Sequence, residues 1–374
     1  MFQVEFELDE IIREAMESKA SDIHFDAVKG GILIRFRIDG VLELYRTMVG
    51  REAEQIMNRI KILSGLDISE KRLPQDGRWC WQDVSENAPS DNHFSKQLNE
   101  TLENFGDMIT HSESSKVKEV LLRVSSLPAI YGETIVCRIV GNENCYKSLT
   151  ELGMTEEVRQ SVEAILRRPY GLFLISGPTG SGKTSTLYAL LRLLNTKAEN
   201  VISLENPVEA DIPGAIQVQI NPKAGLTFPR ALRAVLRQDP DTIMVGEIRD
   251  RETAELAVQA ALTGHRVLAT IHTNTALGVR ERLLDMGIED YLLKATLLGA
   301  LAQRLVRRVT STGAHGRLAL YELWAIPAKV SHWDSVELAS YVNPTLQTSA
   351  AMAVQQGLTT KQAILQSGIC LDTT

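Results

Sequence analysis

The sequence predicts an α/β protein in two parts: a small α+β domain over residues 1–145, and a larger domain over 146–374 built on a mostly parallel sheet with helices packed on it. Three observations lead there. From Leu149 onward short apolar runs alternate with helical ones, the rhythm of a parallel sheet with crossover helices. One strand-to-helix junction carries Gly177-Pro178-Thr179-Gly180-Ser181-Gly182-Lys183-Thr184, which fits G-x-x-x-x-G-K-[ST]. Upstream, helix and hairpin signals follow one another without that rhythm and are interrupted by a polar segment, 83–118.

In chain order, residues 6–19 have helical spacing (Leu8, Ile11, Ile12, Ala15, Met16), and 31–44 read as strand with a hairpin-type turn at Asp39-Gly40. A helix over 52–63 and a further apolar segment over 120–140 complete the small domain. Segment 83–118 is poor in aliphatics and rich in Ser, Asn, Asp and Glu. It reads as a long surface insertion, helical at most around 96–105. In the larger domain the strands are expected at 171–176, 201–205, 215–220, 242–247 and 266–271, and the helices at 183–195, 227–238, 251–263 and 275–286. After Tyr291 the chain reads as mainly helical to about residue 367, with one strand-like stretch at 318–325. There is no internal repeat.

Composition narrows the function classes. A chain of 374 residues with 44% hydrophobic content can fill two cores, and its net charge of −7 argues against a nucleic-acid partner held by bulk charge. The start, Met1-Phe2-Gln3-Val4-Glu5, lacks the basic region of a signal peptide. The most apolar stretch, 291–301, is too short for a membrane span and carries Lys294, so the expected location is cytoplasmic. Cys80, Cys137, Cys145 and Cys370 show no C-x-x-C pairing, which signals neither zinc nor disulfides but reduced, mostly buried thiols.

The phosphate loop carries the first chemistry. Glycines at 177, 180 and 182 let backbone N–H groups turn toward a phosphate, and the helix opening at Lys183 adds the positive end of its dipole. Lys183 is placed to reach β- and γ-phosphates and the Thr184 hydroxyl to hold Mg²⁺, with Pro178, Thr179, Ser181 and Ser185 completing the nucleotide contacts. Downstream, the apolar run 242–245 leads through Gly246 to Glu247 after Asp239-Pro240-Asp241. Gly246 stands where an Asp is usual, so Glu247 is the expected general base or water-positioning group. Glu205, at the end of strand 201–205 and followed by Asn206-Pro207-Val208-Glu209, is a second acidic candidate for the same metal. His265 and His272 bracket strand 266–271 and are candidates for sensing the γ-phosphate.

These landmarks resemble, in order and spacing, the secretion-type traffic ATPases of type II secretion and type IV pilus assembly. The matching stretches are the phosphate loop, 202–209, 239–250 with Gly246-Glu247, and Thr263-Gly264-His265 through His272-Thr273-Asn274. The small domain adds Ala20-Ser21-Asp22-Ile23-His24, Arg35-Phe36-Arg37-Ile38-Asp39-Gly40, Leu73-Pro74-Gln75-Asp76-Gly77-Arg78 and Arg123-Val124-Ser125. The resemblance implies a RecA-like P-loop ATPase domain using ATP and Mg²⁺, with Arg123 and Arg138 lent to the nucleotide by the small domain. It further implies a homo-hexamer at the inner membrane, pushing on a platform protein to assemble a pilus or pseudopilus. Three features depart from the family: the match starts directly at the small domain, Asn206 replaces an Asp, and residues 310–316 stand where many members carry a four-cysteine zinc insert, so no zinc is expected. A retraction ATPase of the same fold and a nucleotide-gated scaffold with little hydrolysis are the alternatives.

Overall fold

The computed structural model describes residues 2–83, 118–140, 147–195, 198–310, 313–330 and 332–370. The chain divides into two compact units, Met1–Gly141 and Asn142–Thr374. Nearly all of the polar segment, including the helix expected around 96–105, lies outside the described residues, as does Cys145.

The first unit runs α1 (Phe2–Glu17), β1 (Asp22–Val28), β2 (Gly31–Ile38), β3 (Val41–Val49), α2 (Gly50–Leu63), β4 (Gln75–Asp83), β5 (Lys118–Ala129) and β6 (Gly132–Val140). Its six strands form one antiparallel sheet in the order β3-β2-β1-β6-β5-β4. Strand alternation sends Ile23, Phe25, Ile34, Leu122, Val124 and Ile135 to one face, where Leu8, Ile11 and Ile12 of α1 and Ile56 and Ile60 of α2 cover them. The β2–β3 turn takes Asp39 (φ 50°) and Gly40 (φ 87°) into the left-handed region, as the Asp-Gly pair requires. A fully buried Lys61 holds this unit's elements together, donating to Glu133 Oε1 (2.7 Å) and the Glu70 carbonyl (2.8 Å). Of the described thiols only Cys137 is buried; Cys80 and Cys370 are exposed, against expectation. Cys80 alternates with the core-facing Trp79 and Trp81, and so takes the open face of β4.

The second unit runs α3 (Glu156–Leu166), β7 (Gly171–Ser176), α4 (Lys183–Leu194), β8 (Val201–Glu205), β9 (Ile216–Gln219), α5 (Phe228–Val235), β10 (Thr242–Val245), α6 (Arg251–Leu262) and β11 (Arg266–Ile271). It continues with α7 (Gly278–Asp285), α8 (Asp290–Thr296), β12 (Leu297–Thr310), β13 (Gly313–Ala325), α9 (Ser335–Ser340), α10 (Leu346–Gln355) and α11 (Lys361–Gln366). The seven-stranded sheet has the order β13-β12-β7-β11-β10-β8-β9 and is parallel except for the β12–β13 hairpin. Both faces are covered: Leu172 and Leu174 of β7 enter one core, Phe173 and Ile175 the other.

The C-terminal expectation needs correction. Residues 297–325 form the longest hairpin of the sheet, and the final helices begin only at Ser335. The run Leu297-Leu298-Gly299-Ala300-Leu301-Ala302 is rich in helix formers, but the free edge of β7 pairs with it, and tertiary pairing overrides so weak a propensity.

Candidate active site

A parallel sheet gathers the ends of its strands, and the C-terminal ends of β7, β11, β10 and β8 lie along one edge. Seven residues after Ser176, α4 opens at Lys183, and the loop between is shaped by Gly177 (φ 145°), Gly180 (φ 78°) and Gly182 (φ 87°). At Gly177 steric room matters as much as φ, because a Cβ there would lie 2.6 Å from the Gln303 carbonyl oxygen and from Ser181 Oγ. Lys183 Nζ folds back onto the loop and donates to the carbonyls of Gly177 (2.8 Å) and Pro178 (2.9 Å). Burial pulls its pKa down to about 8; Glu247 opposes the shift and Arg304 adds to it. Pro178, Thr179 and Gly180 form the exposed tip, Ser181 is buried, and Thr184 and Ser185 are half-buried in the first turn of α4.

Glu247 is brought to this loop by the end of β10. Its neighbour Gly246 is pinned on both sides: its N–H donates to the Leu204 carbonyl (2.8 Å) and its carbonyl accepts from Thr270 Oγ1 (2.5 Å). A Cβ on Gly246 would stand 3.0 Å from the Leu204 carbonyl oxygen, a tight contact for any side chain there. Glu247 is largely buried and pairs with Arg249 Nε at 2.6 Å. His272 follows β11, whose last residue Ile271 is in register with Ser176, and so it arrives beside Gly177. Burial first, then the charge on Lys183, lowers its pKa, which keeps the ring neutral at physiological pH.

His265 and the Asp239-Pro240-Asp241 stretch are not where the sequence reading put them. His265 precedes β11 and sits at the opposite edge of the sheet, where its backbone carbonyl accepts from Gly171 N–H and its Nδ1 lies 3.0 Å from the Ala260 carbonyl. A six-residue strand is about 20 Å long, so its two flanking residues cannot share one site. Asp239-Pro240-Asp241 belongs to that far edge too, where Asp241 accepts from Asn200 N–H at 2.7 Å. Glu205 does lie at the functional edge, but it is buried (3% exposed) and its oxygens are engaged. Tyr188 Oη donates to Oε2, while Ser203 Oγ (2.5 Å) and Gln217 Nε2 (3.1 Å) donate to Oε1. Tyr188 Oη also accepts from Glu209 N–H, and Gln217 Nε2 holds the Ala210 carbonyl. Glu205 is thus the hub that fixes the following loop rather than an open metal ligand. The Tyr188 hydroxyl is pushed well above its ordinary pKa by burial and by the Glu205 charge, and stays a donor.

On the first unit, the open face of the sheet carries a cross-strand rung: Arg78 opposes Arg123, Arg123 opposes Arg138, Arg138 opposes Asp22, and Asp22 opposes Arg37. Asp22 accepts from Arg138 Nε at 2.8 Å and lies 3.9 Å from Arg37. Among the described residues no carboxylate pairs with Arg78 or Arg123. Directly opposed like charges destabilise a sheet, and in this rung Asp22 offsets Arg138 and Arg37 while Arg78 and Arg123 stand opposed to one another. The alignment of Arg78 and Arg37 with Arg123 and Arg138 appears only once strand register is known. Gln303, Arg304 and Arg249 were missed as site candidates; a Gln-Arg pair inside an apolar strand was the available signal.

Among the described residues no group of His, Cys, Asp and Glu forms a metal cage, and no helix is long and apolar enough to cross a membrane. Mg²⁺ needs no such cage, since it keeps waters and phosphate oxygens and takes one or two protein oxygens. The half-buried Thr184 fits that demand.

Type II secretion system protein E of Dickeya dadantii (strain 3937) is 46% identical to this chain over 300 residues, which is 80% of the chain and 54% of that relative. Type II secretion system ATPase E of Vibrio cholerae serotype O1 is 43% identical over 300 residues, 80% of the chain and 53% of the relative. The chain spans about half the length of these curated relatives. Among solved structures, the Legionella pneumophila ATPase DotB superposes with a TM-score of 0.72 at 22% identity, covering 97% of this chain and 95% of that one. The pilus retraction motor PilT with bound ADP gives 0.63 at 24% identity, with 96% of each chain covered. Both likenesses support the RecA-like ATPase fold. The family described as Type II/IV secretion system protein matches residues 2–87 and 111–365, omitting the middle of the polar segment, and the chain belongs to that family.

Proposed function

We propose that the chain binds and hydrolyses ATP and uses the energy as a mechanical motor for assembly of a pilus or type II secretion pseudopilus. The observation that carries this reading is the convergence of Lys183, Glu247 and His272 at one sheet edge around a glycine-shaped loop. Loop N–H groups and the α4 N-terminus hold the phosphates. Lys183 leaves its loop carbonyls to meet the β/γ-phosphate oxygens, and Glu247 orients the attacking water and takes its proton. His272, neutral, is available to donate to the γ-phosphate. When bound, Mg²⁺ neutralises phosphate charge beside Thr184. We further propose that six copies form a ring on an inner-membrane platform protein, in the cytoplasm and without nucleic acid.

The pKa of Lys183 gives a signed expectation. Phosphate binding needs the charged ammonium, so ADP affinity is constant below about pH 8 and falls above it, approaching about tenfold per pH unit. Calorimetric ADP titrations from pH 7 to 9.5 read this directly; a flat profile would contradict a burial-lowered Lys183 pKa at the phosphate site.

Arg123 and Arg138 are proposed to act on the γ-phosphate, stabilising charge in the transition state. Arg123→Ala and Arg138→Ala should each lower turnover by at least about tenfold while the protein still binds ADP. Mixing Lys183→Ala chains with Arg123→Ala chains tests both the ring and the source of the arginine. Recovered activity requires an arginine from a neighbouring copy, and parental rates in both arginine variants would confine the chemistry to the second unit.

A further inference from the structure

We propose that Gln303 and Arg304 of β12 are positioning residues: Gln303 props the phosphate loop from beneath, and Arg304 fixes the loop that carries His272. Strand β12 runs parallel to β7 with Ala302 in register with Ser176, so Gln303 emerges level with Gly177, where the phosphate loop begins. Its side chain is 1% exposed and Nε2 donates to the Ser181 carbonyl at 2.5 Å. Loop and strand are in tight contact, since a Cβ on Gly182 would stand 3.0 Å from that same Nε2.

Successive strand residues face opposite ways, and Arg304, 8% exposed, serves the other loop. Its Nη2 donates to the Asn274 carbonyl (2.9 Å) and approaches Asn274 Oδ1 (3.2 Å), while Nη1 donates to the Gln303 carbonyl (3.1 Å). Glu322, opposite Ala302 on β13, accepts from the N–H groups of Ala276 (2.7 Å) and Leu346 (3.1 Å). The segment after His272 is therefore tied from β12 and β13, and through Glu322 to the start of α10.

A second observation concerns the interior of this contact. Gln303 Oε1, Ser181 Oγ and Ser176 Oγ are buried without a hydrogen-bond partner. Buried polar groups are normally paired, so these three oxygens mark the contact between β12 and the phosphate loop as polar rather than apolar.

This inference deepens the hydrolase reading and rests on it for its turnover arm. The test separates binding from turnover in purified full chain, with melting temperature as the folding control. Gln303→Met keeps the shape and removes the donor; it is expected to weaken ADP binding by about tenfold, the worth of one buried hydrogen bond. Gln303→Glu should show the same loss at neutral pH and recover as the pH is lowered and the carboxyl regains a proton to donate. Arg304→Lys should lower turnover by about tenfold at unchanged ADP affinity, Asn274→Ala should lower it less because the carbonyl contact survives, and the double variant should be no worse than Arg304→Lys alone. ADP affinity in Gln303→Met within about threefold of the parent, or multiplying losses in the double variant, would overturn the assignment. Because ADP binding does not depend on hydrolysis, a parent chain that binds ADP but releases no phosphate would sink the motor reading while still testing Gln303.

Discussion

Replacing Lys183 with alanine is expected to remove ATP turnover, a loss of about 10²–10³-fold or more, because the ammonium is the loop's point charge at the transferring phosphate. No other lysine takes part in the loop's electrostatics: the groups that act on Lys183 are Glu247 and Arg304, and Arg304 is committed to Asn274 and the Gln303 carbonyl. The substitution should leave the fold intact. Lys183 makes its described hydrogen bonds to Gly177 and Pro178 carbonyls at the rim, not within the core. Phosphate release and circular dichroism of the same sample check both halves. Turnover comparable to the parent in a folded Lys183→Ala chain would place the chemistry elsewhere.

Substituting Glu247 by glutamine keeps the shape and a hydrogen-bonding group but removes the base. Turnover should fall on the order of a hundredfold or more while ATP and ADP still bind, because the role proposed for the carboxylate is on the attacking water and not on nucleotide affinity. Its described ion pair is to Arg249, an exposed side chain, so the change should cost little stability. A Glu247→Gln chain with near-parental turnover would return the role to the Glu205–Glu209 stretch, where Glu205 itself is closed off by Tyr188, Ser203 and Gln217.

The elements nearest the chemistry were the most legible in the sequence. The expected strands 171–176, 201–205 and 266–271 match β7, β8 and β11, because each is a short apolar run punctuated by glycine, proline or charge. The phosphate loop was legible because its glycines are demanded locally. What failed were inferences about partners distant in sequence. The helix-forming composition of 297–310 gave no hint that β7 offered an open edge. His265 and His272 look equivalent along the chain, and only the extended geometry of β11 separates them by the width of the sheet. Glu205 looked like a metal ligand because its three donors come from α4, its own strand and β9, and only Ser203, two residues away on the same face, was visible in advance. The arginine rung is a property of strand register, which the sequence does not state.

If the loop and Glu247 act as proposed, the purified chain turns ATP over repeatedly. Continuous phosphate release by the purified chain with ATP and Mg²⁺, counted against bound nucleotide, tests it most directly. The account predicts many phosphates released per chain, with release lost in Lys183→Ala and strongly reduced in Glu247→Gln. Stoichiometric ATP binding followed by no release beyond one phosphate per site would contradict it and leave a nucleotide-gated scaffold.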